Sequence, residues 1–215
     1  MVDDKVYWEN FYAQAKMPFK PSLFSRFVKD NYLRRNDLLI ELGCGNGRDA
    51  FYFAQNGINT TAVDQCAEEI KHLNEIKQQD NLKFECGDFT NLSDDRMFNA
   101  VYSRFTLHSI AEEQEDKVFK WASNVLSKSG YMCIEVRGMQ NELYMKGKPV
   151  EGQENAFIYE NHYRRFLDMV KTCKKLERND LKVKLCVEKK GFSPFNGQDD
   201  TFMRIIAQKE KNRFY

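Results

Sequence analysis

The stretch from Leu38 to Asp49, LLIELGCGNGRD, constrains this chain more than any other part of it. Leu38, Leu39, Ile40 and Leu42, interrupted only by Glu41, suit a short strand buried on both faces, and the alternate glycines 43, 45 and 47 then break it. Arg48 to Asn56 carries Ala50, Phe51, Phe53 and Ala54 at spacings a helix can bury. The unit therefore reads strand, tight glycine loop, helix. Glycine tolerates positive φ and has no side chain in the way, so such a loop brings main chain close to a ligand.

The next acidic residue says what kind of ligand. Gly57 closes the helix, and Ile58 to Val63 leads to Asp64, where a second parallel strand should end. A carboxylate at that place accepts hydrogen bonds from the vicinal hydroxyls of a ribose, so the ligand is expected to contain a nucleoside. The spacing speaks against NAD, whose fingerprint needs glycine at the third position after Gly45, where this chain has Arg48.

Glu41, Gly43, Gly45 and Gly47, followed by Asp64, instead resemble motif I and the ribose-binding acidic residue of the class I, Rossmann-like S-adenosylmethionine-dependent methyltransferases. The resemblance implies an α/β fold with a seven-stranded, mostly parallel sheet, helices on both faces and a C-terminal antiparallel hairpin. It further implies S-adenosyl-L-methionine as cofactor. The cofactor-binding set it suggests is Glu41, Gly43, Cys44, Gly45, Gly47, Arg48, Asp49, Asp64, Gln65, Asp88, Phe89 and Ser103. Asp88, after the strand Leu82 to Cys86, matches the residue that accepts from the adenine amino group, and Phe89 the one that packs on the ring. A turn or helix-cap aspartate is the other reading of Asp88, and Cys44 also reads as a small side chain tucked beneath the loop.

At 215 residues the chain is long enough for one substantial core and reads as a single domain, 1–215, with a cofactor-binding core over 38–137. Its 33 basic and 32 acidic residues argue against an extended nucleic-acid footprint and favour a small-molecule acceptor. No apolar run of about 18 residues is present, and MVDDKVYWEN lacks the features of a signal peptide, so no membrane role and a cytoplasmic location are expected. Six cysteines show no CxxC pair and no metal-ligand spacing, and no metal is expected.

Residues 1–30 open with Tyr7, Trp8, Phe11, Tyr12 and Phe19. They read either as an ordinary packing helix or as a lid. In methyltransferases resembling the thiopurine and tellurite enzymes such a segment folds over the cofactor, which adds Tyr7, Trp8 and Tyr12 to the expected set. A helix is expected around Leu23, Phe24, Phe27 and Val28, another over Ala67 to Gln79, and a long one over Ala111 to Leu126. Ser127 to Gly130 reads as a turn before a fifth strand, Tyr131 to Val136.

The chemistry is expected outside the carboxyl ends of the strands. The fourth strand, Phe98 to Tyr102, runs into SRFTLHSI, placing Ser103 and Arg104 at the crevice with His108 four residues on. His108 reads as a base for a hydroxyl acceptor, or as a histidine that fixes a loop, and His162 is the second candidate base. Residues 138–160 read as a substrate-covering loop, and Glu160 to Leu176 as a helix beginning near HYRRF with Phe166, Leu167, Val170 and Cys173 buried. Arg104, Arg137, Arg164 and Arg165, with His108 and Tyr163, form the expected acceptor-binding set. Arginine forks match phosphate or carboxylate oxygens, so the acceptor is expected to be anionic; surface ion pairs are the other account.

GNGRD, YSRFTLHSI, EVR and HYRRF together resemble small bacterial methyltransferases of surface-polysaccharide modification. That points to O-methylation of a sugar phosphate, nucleotide-linked sugar or other phosphorylated metabolite. The fourth strand ends in YSRF where nucleic-acid and amide N-methyltransferases carry an NPPY-type signature, which puts methylation of a base nitrogen in doubt. Two other readings stay open: a non-catalytic module that binds S-adenosylmethionine or S-adenosylhomocysteine, and, disfavoured by Arg48, a NAD-dependent oxidoreductase. Oligomeric state is not legible.

Overall fold

A computed structural model describes residues 20–93 and 96–210. The expected cofactor contacts Tyr7, Trp8 and Tyr12 lie outside the described residues. Seven strands form the main sheet: β1 (Leu38–Leu42), β2 (Asn59–Asp64), β3 (Leu82–Cys86), β4 (Phe98–Arg104), β5 (Leu126–Val136), β9 (Leu181–Lys189) and β10 (Phe202–Lys209). Their order is β3-β2-β1-β4-β5-β10-β9. The first five run parallel, and β10 lies antiparallel between β5 and β9. The expected C-terminal hairpin is therefore present. The strand order reverses between β1 and β4, and the ends of these two strands, Leu42 and Arg104, flank the crevice where such sheets bind ligands.

The apolar alternation along each strand puts a core on both faces. On one face Leu39, Ala100, Tyr102, Cys133 and Ile206 pack against Phe24 and Val28 of α1 (Leu23–Tyr32) and Phe53 of α2 (Arg48–Gln55). On the other, Ile40, Leu42, Val101, Met132 and Ile134 meet Val118, Phe119 and Ala122 of α4 (Glu112–Val125) and Leu176 of α5 (Met169–Arg178). A third cluster joins Ala50 and Ala54 of α2 to Ile70 and Leu73 of α3 (Ala67–Ile76). Tyr102 is fully buried between Phe24, stacked at 5.1 Å, and Phe53, edge-on at 5.0 Å. Each such ring contributes ~2 kcal/mol by burial alone, so this trio fixes α1 and α2 to the sheet beside the glycine loop.

Three expectations change. The turn expected at Ser127 to Gly130 lies inside β5: the ladder jumps from Phe98↔Leu126 to Ala100↔Tyr131, and Ser129 sits at φ 66°. The turn chemistry appears as an irregularity within a strand. The helix expected to begin near HYRRF is a hairpin followed by a shorter helix. β7 (Ala156–Tyr159) pairs with β8 (His162–Arg165), and Glu160 and Asn161, at φ 53° and 58°, form the two-residue turn between them. Positive φ at both central residues matches the twist of a tight hairpin and ends any helix there. Phe166 and Leu167 are buried as expected, Cys173 is half-buried, and Val170 is exposed. The 138–160 segment is correspondingly more than a loop, because β7 also pairs with β6 (Lys148–Pro149) to give a three-stranded sheet. A bridge between Gly138 and Leu167 closes this insertion onto the end of β5.

No helix of the described residues is long and apolar enough to cross a membrane. Among them, Cys44, Cys66 and Cys133 are buried, Cys173 and Cys186 half-buried and Cys86 exposed, all as free thiols.

Candidate functional site

Gly43, Gly45 and Gly47 all adopt positive φ, at 71°, 52° and 73°. A Cβ on Gly43 would stand 2.3 Å from Thr106 Cγ2, and one on Gly47 would stand 2.9 Å from the Phe84 ring. The loop is thus pressed against β3 and the end of β4, and both backbone conformation and space require glycine. Gly43 and Cys44 donate their amides to the Val63 carbonyl at 2.8 and 3.0 Å, which ties the loop to β2. Cys44 is buried, and burial, with Glu41 next, pushes its thiol well up. Its tucked reading is the one the packing supports.

Asp64 ends β2 beneath this loop. One carboxylate oxygen accepts the Gly45 amide at 2.8 Å and the other the Cys66 amide at 3.0 Å. Each oxygen keeps a second lone pair, the capacity that a pair of ribose hydroxyls needs. Gln65 is exposed beside it. Asp88 caps the 3-10 turn Phe89–Asn91, with Oδ1 accepting both the amide and the hydroxyl of Thr90 at 2.8 Å. The capping role and an adenine contact through Oδ2 are compatible on this geometry. Phe89 packs against the core and comes within 3.7 Å of the Gly43 Cβ position. Ser103 is fully buried at the end of β4, and its hydroxyl lies 2.6 Å from that of Thr106.

Glu41 and Asp49 differ sharply although they are neighbours. Asp49 is turned into the protein. Its carboxylate accepts from the Ser22 amide at 2.8 Å, the Ser22 hydroxyl at 2.7 Å, the Ser25 hydroxyl at 3.0 Å and the Tyr102 hydroxyl at 2.8 Å. Burial works against its charge, yet Arg104, Arg48 and the Ser22 donors outweigh it and hold the carboxyl below its ordinary value. Asp49 therefore anchors the start of α1 to the glycine loop, which corrects its expected place among the cofactor contacts. Arg48 lies against it, with Nε 3.6 Å from Oδ1. Glu41 is 4% exposed, and its Oε2 has no hydrogen-bond partner among the described residues. Burial, with Asp49 next, raises its carboxyl well above the usual range. An orphaned buried carboxylate oxygen under a bare main-chain loop fits a ligand that brings a cationic donor.

The arginines divide into two groups. Arg104, Glu135 and Arg204 form one cross-strand row over β4, β5 and β10. Glu135 accepts from Arg104 Nε at 2.9 Å and from Arg204 Nε at 2.6 Å, while Arg104 also donates to Ser193 Oγ at 2.6 Å. Arg165 is buried, donating to the Ile110 and Leu107 carbonyls and pairing with Glu115. Arg104 and Arg165 are thus engaged internally, as the ion-pair account of these arginines expects. The row's Glu135 and Arg204 were missed, though a lone Glu inside the apolar run YMCIEV was the available signal.

Arg137 and Arg164 are half-buried. Arg137 donates to Asn141 Oδ1 at 2.9 Å and sits 3.4 Å from Asp200, with its guanidinium 4.9 Å over the Phe202 ring. Arg164 donates to the Tyr159 carbonyl at 2.9 Å, and the Tyr163 hydroxyl to Gln153 at 2.7 Å. Along β8, His162 and Arg164 share one side and Tyr163 and Arg165 the other. β8 packs on the 3-10 turn Leu107–Ser109, which brings His162 and Arg164 towards His108. Burial, then Arg137, His162 and Arg164, hold His108 well below its ordinary value, and burial with Arg164 and Arg137 brings His162 down to about 4. Both rings are neutral near pH 7. His108 Nδ1 accepts the Arg137 amide at 3.4 Å, a contact that suits its reading as a histidine that fixes a loop. Phe105, at φ 62° between Ser103 and the 3-10 turn, stacks on Phe202 at 4.6 Å, and the Arg104 guanidinium lies 3.9 Å from its ring centroid. Such a strained residue at a strand end marks a place where geometry is held for a purpose.

Comparison with known proteins agrees with this architecture. Residues 39–130 match the family described as methyltransferase domain. The chain is 30% identical over 80 residues to the cypemycin N-terminal methyltransferase of a Streptomyces species, a match covering 37% of this chain and only 33% of that relative. Among solved structures it is similar to an S-adenosylmethionine-dependent methyltransferase of Methanosarcina mazei, with TM-score 0.74 and 20% identity over 85% of this chain and 97% of that one. It is also similar to the 1,6-didemethyltoxoflavin-N1-methyltransferase of Burkholderia thailandensis, with bound 1,6-didemethyltoxoflavin and S-adenosylhomocysteine, at TM-score 0.65 and 16% identity over 87% and 76% of the two chains. The chain thus matches a methyltransferase domain over residues 39–130 and has the fold of the class I, Rossmann-like S-adenosylmethionine-dependent methyltransferases.

Proposed function

We propose that the protein is an S-adenosylmethionine-dependent methyltransferase acting on a small anionic acceptor. The observation that carries the cofactor reading is the orphaned Glu41 oxygen beneath three positive-φ glycines, with Asp64 at the next strand end. Glu41 would take the α-ammonium group, the glycine loop the amino-acid tail, Asp64 the ribose hydroxyls, and Asp88 with Phe89 the adenine. The bound cofactor supplies an electrophilic methyl carbon on a sulfonium sulfur. The transfer is an in-line displacement in which an acceptor oxygen–carbon bond forms as the carbon–sulfur bond breaks. No covalent intermediate with the protein is required, so alignment and fixed charges carry the catalysis, on the order of several kcal/mol.

The acceptor side supports an anion. Burial is the main cause that lowers both histidines, with Arg137 and Arg164 adding positive charge, and guanidinium forks suit phosphate or carboxylate oxygens. A sugar phosphate, a nucleotide-linked sugar or another phosphorylated metabolite, as in surface-polysaccharide modification, meets this requirement. His108 is the first candidate to receive the acceptor's proton and His162 the second. A nitrogen acceptor is the second reading, favoured by the names of two of the similar proteins. The same positive field disfavours a protonated amine.

Thermal melting with S-adenosylhomocysteine, NAD and ATP tests the cofactor: only the first is expected to raise the melting temperature. Turnover of a labelled methyl group across a panel of phosphorylated sugars, carboxylates and amines then tests the acceptor. Binding of the homocysteine compound without turnover of any acceptor would favour a non-catalytic module, and turnover confined to amines would overturn the anionic reading.

A further inference from the structure

We propose that Glu41 is a neutral carboxyl group in the cofactor-free protein and that docking of the cofactor's α-ammonium ionises it, expelling one proton to solvent. The inference rests on the cofactor reading above and adds a proton to it. Glu41 lies beside Tyr102 in the β1–β4 register, on the face of the sheet covered by α1. Among the described residues four protein donors converge on Asp49 and none reaches Glu41 Oε2.

Two buried carboxyls in mutual electrostatic reach do not share charge equally when only one of them is solvated by protein groups. The one with donors takes the charge, and the other keeps its proton, because an isolated buried carboxylate is very costly. The charged and titratable groups that face Glu41 are Asp49 and Arg48 from α2, Arg104 from β4 and Asp64 from β2. Tyr102 and the Cys44 thiol also lie within its field. Of the two cations, Arg104 is bonded to Glu135 and Ser193, and Arg48 lies against Asp49. Burial together with Asp49 and Asp64 accordingly outweighs them, and the neutral form is favoured.

An ammonium group placed at Oε2 reverses this balance, since it brings both a positive charge and an N–H donor. The exchange is balanced: the protonated carboxyl plus the ammonium gives a carboxylate–ammonium pair, and one proton passes to the buffer.

The test is titration calorimetry of the full chain with S-adenosylhomocysteine in buffers of different ionisation enthalpy. 5′-Methylthioadenosine, which has the same nucleoside but no ammonium tail, serves as the comparison ligand. The expected result is release of about one proton with the first ligand and none with the second. Affinity for the first should rise about tenfold per pH unit until Glu41 ionises in the free protein, and then level off. Glu41→Gln should abolish both the release and the slope, and the nucleoside comparison keeps the wild-type measurement decisive if that variant fails to fold. Binding of S-adenosylhomocysteine with no proton released at any pH where the protein is folded overturns the inference and leaves the cofactor reading standing. Failure of the folded protein to bind S-adenosylhomocysteine at all overturns the cofactor reading, and the inference with it.

Discussion

On the β1–β3 side of the crevice the polar groups keep capacity in hand: Glu41 Oε2 is unpartnered among the described residues, and Asp64 uses one lone pair per oxygen on loop amides. On the β4–β10 side the charges are largely consumed by one another. Glu135 holds Arg104 and Arg204, Glu115 holds Arg165, and Asp200 lies against Arg137. Among the described residues the first side keeps uncommitted carboxyl capacity, whereas the second is a braced wall of paired charges. The difference teaches that charge in a crevice is not by itself recognition, because a buried arginine is first a structural cost that some carboxylate must offset.

The largest effect is expected where the wall is broken. Glu135→Gln strands two guanidinium groups, of which Arg204 is 6% exposed, and should cost about 3–5 kcal/mol in denaturant unfolding. Replacing Arg104, Glu135 and Arg204 together by apolar residues of similar volume should cost far less, since no uncompensated charge remains. If Glu135→Gln unfolds at the wild-type midpoint, the row is not a brace.

Next in size is the glycine loop. Gly43→Ala meets Thr106 at 2.3 Å in a backbone conformation with φ 71°, and should cost about 1–3 kcal/mol of stability. Affinity for S-adenosylhomocysteine should fall by about tenfold or more, at about 1.4 kcal/mol per decade. Calorimetry on the folded variant checks it, and unchanged affinity would separate the loop from the cofactor.

Asp49→Asn sharpens the contrast between the paired carboxyls. The folded Asp49 lies below its ordinary value, so its contribution is fully present above the unfolded value and is lost as pH falls through the folded one. The variant should be less stable than wild type by about 1–2 kcal/mol near neutrality, and the gap should close as the solution is acidified. Glu41 has the opposite sign: its neutral form is favoured in the folded protein, so its contribution is lost as pH rises through its raised value. Unfolding curves across pH for both variants distinguish the two, and parallel curves would refute the assignment.

How much of this was legible follows from the reach of each contact. The strand, three glycines and Asp64 lie within a few tens of residues, and their chemistry is local, so the strand–loop–helix unit could be read from residue types and the family resemblance implied the seven-stranded sheet around it. The wall depends on partners far apart in sequence: Arg104 meets Glu135 and Ser193, 31 and 89 residues away. Nothing around Arg104 announces them. HYRRF misled for a different reason. Its apolar spacing suits a helix, but the Glu160-Asn161 pair before it adopts positive φ, for which only the asparagine gives a hint. Asp49 looked like part of the glycine motif, and it was the serines 27 and 24 residues earlier that claimed it.

The smallest expected effects, and the ones that bear most directly on the acceptor, come from opposing substitutions on the wall's open edge. Arg164→Gln removes one of the two cations that lower His108 and His162, whereas Asp200→Asn removes the carboxylate that lies 3.4 Å from Arg137 and partly neutralises it. If the acceptor is anionic, the first should weaken its binding and the second strengthen it, each by roughly threefold to tenfold, or about 1 kcal/mol for partly exposed pairs. Neither change touches the glycine loop, so affinity for S-adenosylhomocysteine should stay at the wild-type value in both. Acceptor KM measured side by side in the two variants supplies the comparison. Two shifts of the same sign would mean that the residues act on the shape of the insertion and not through charge.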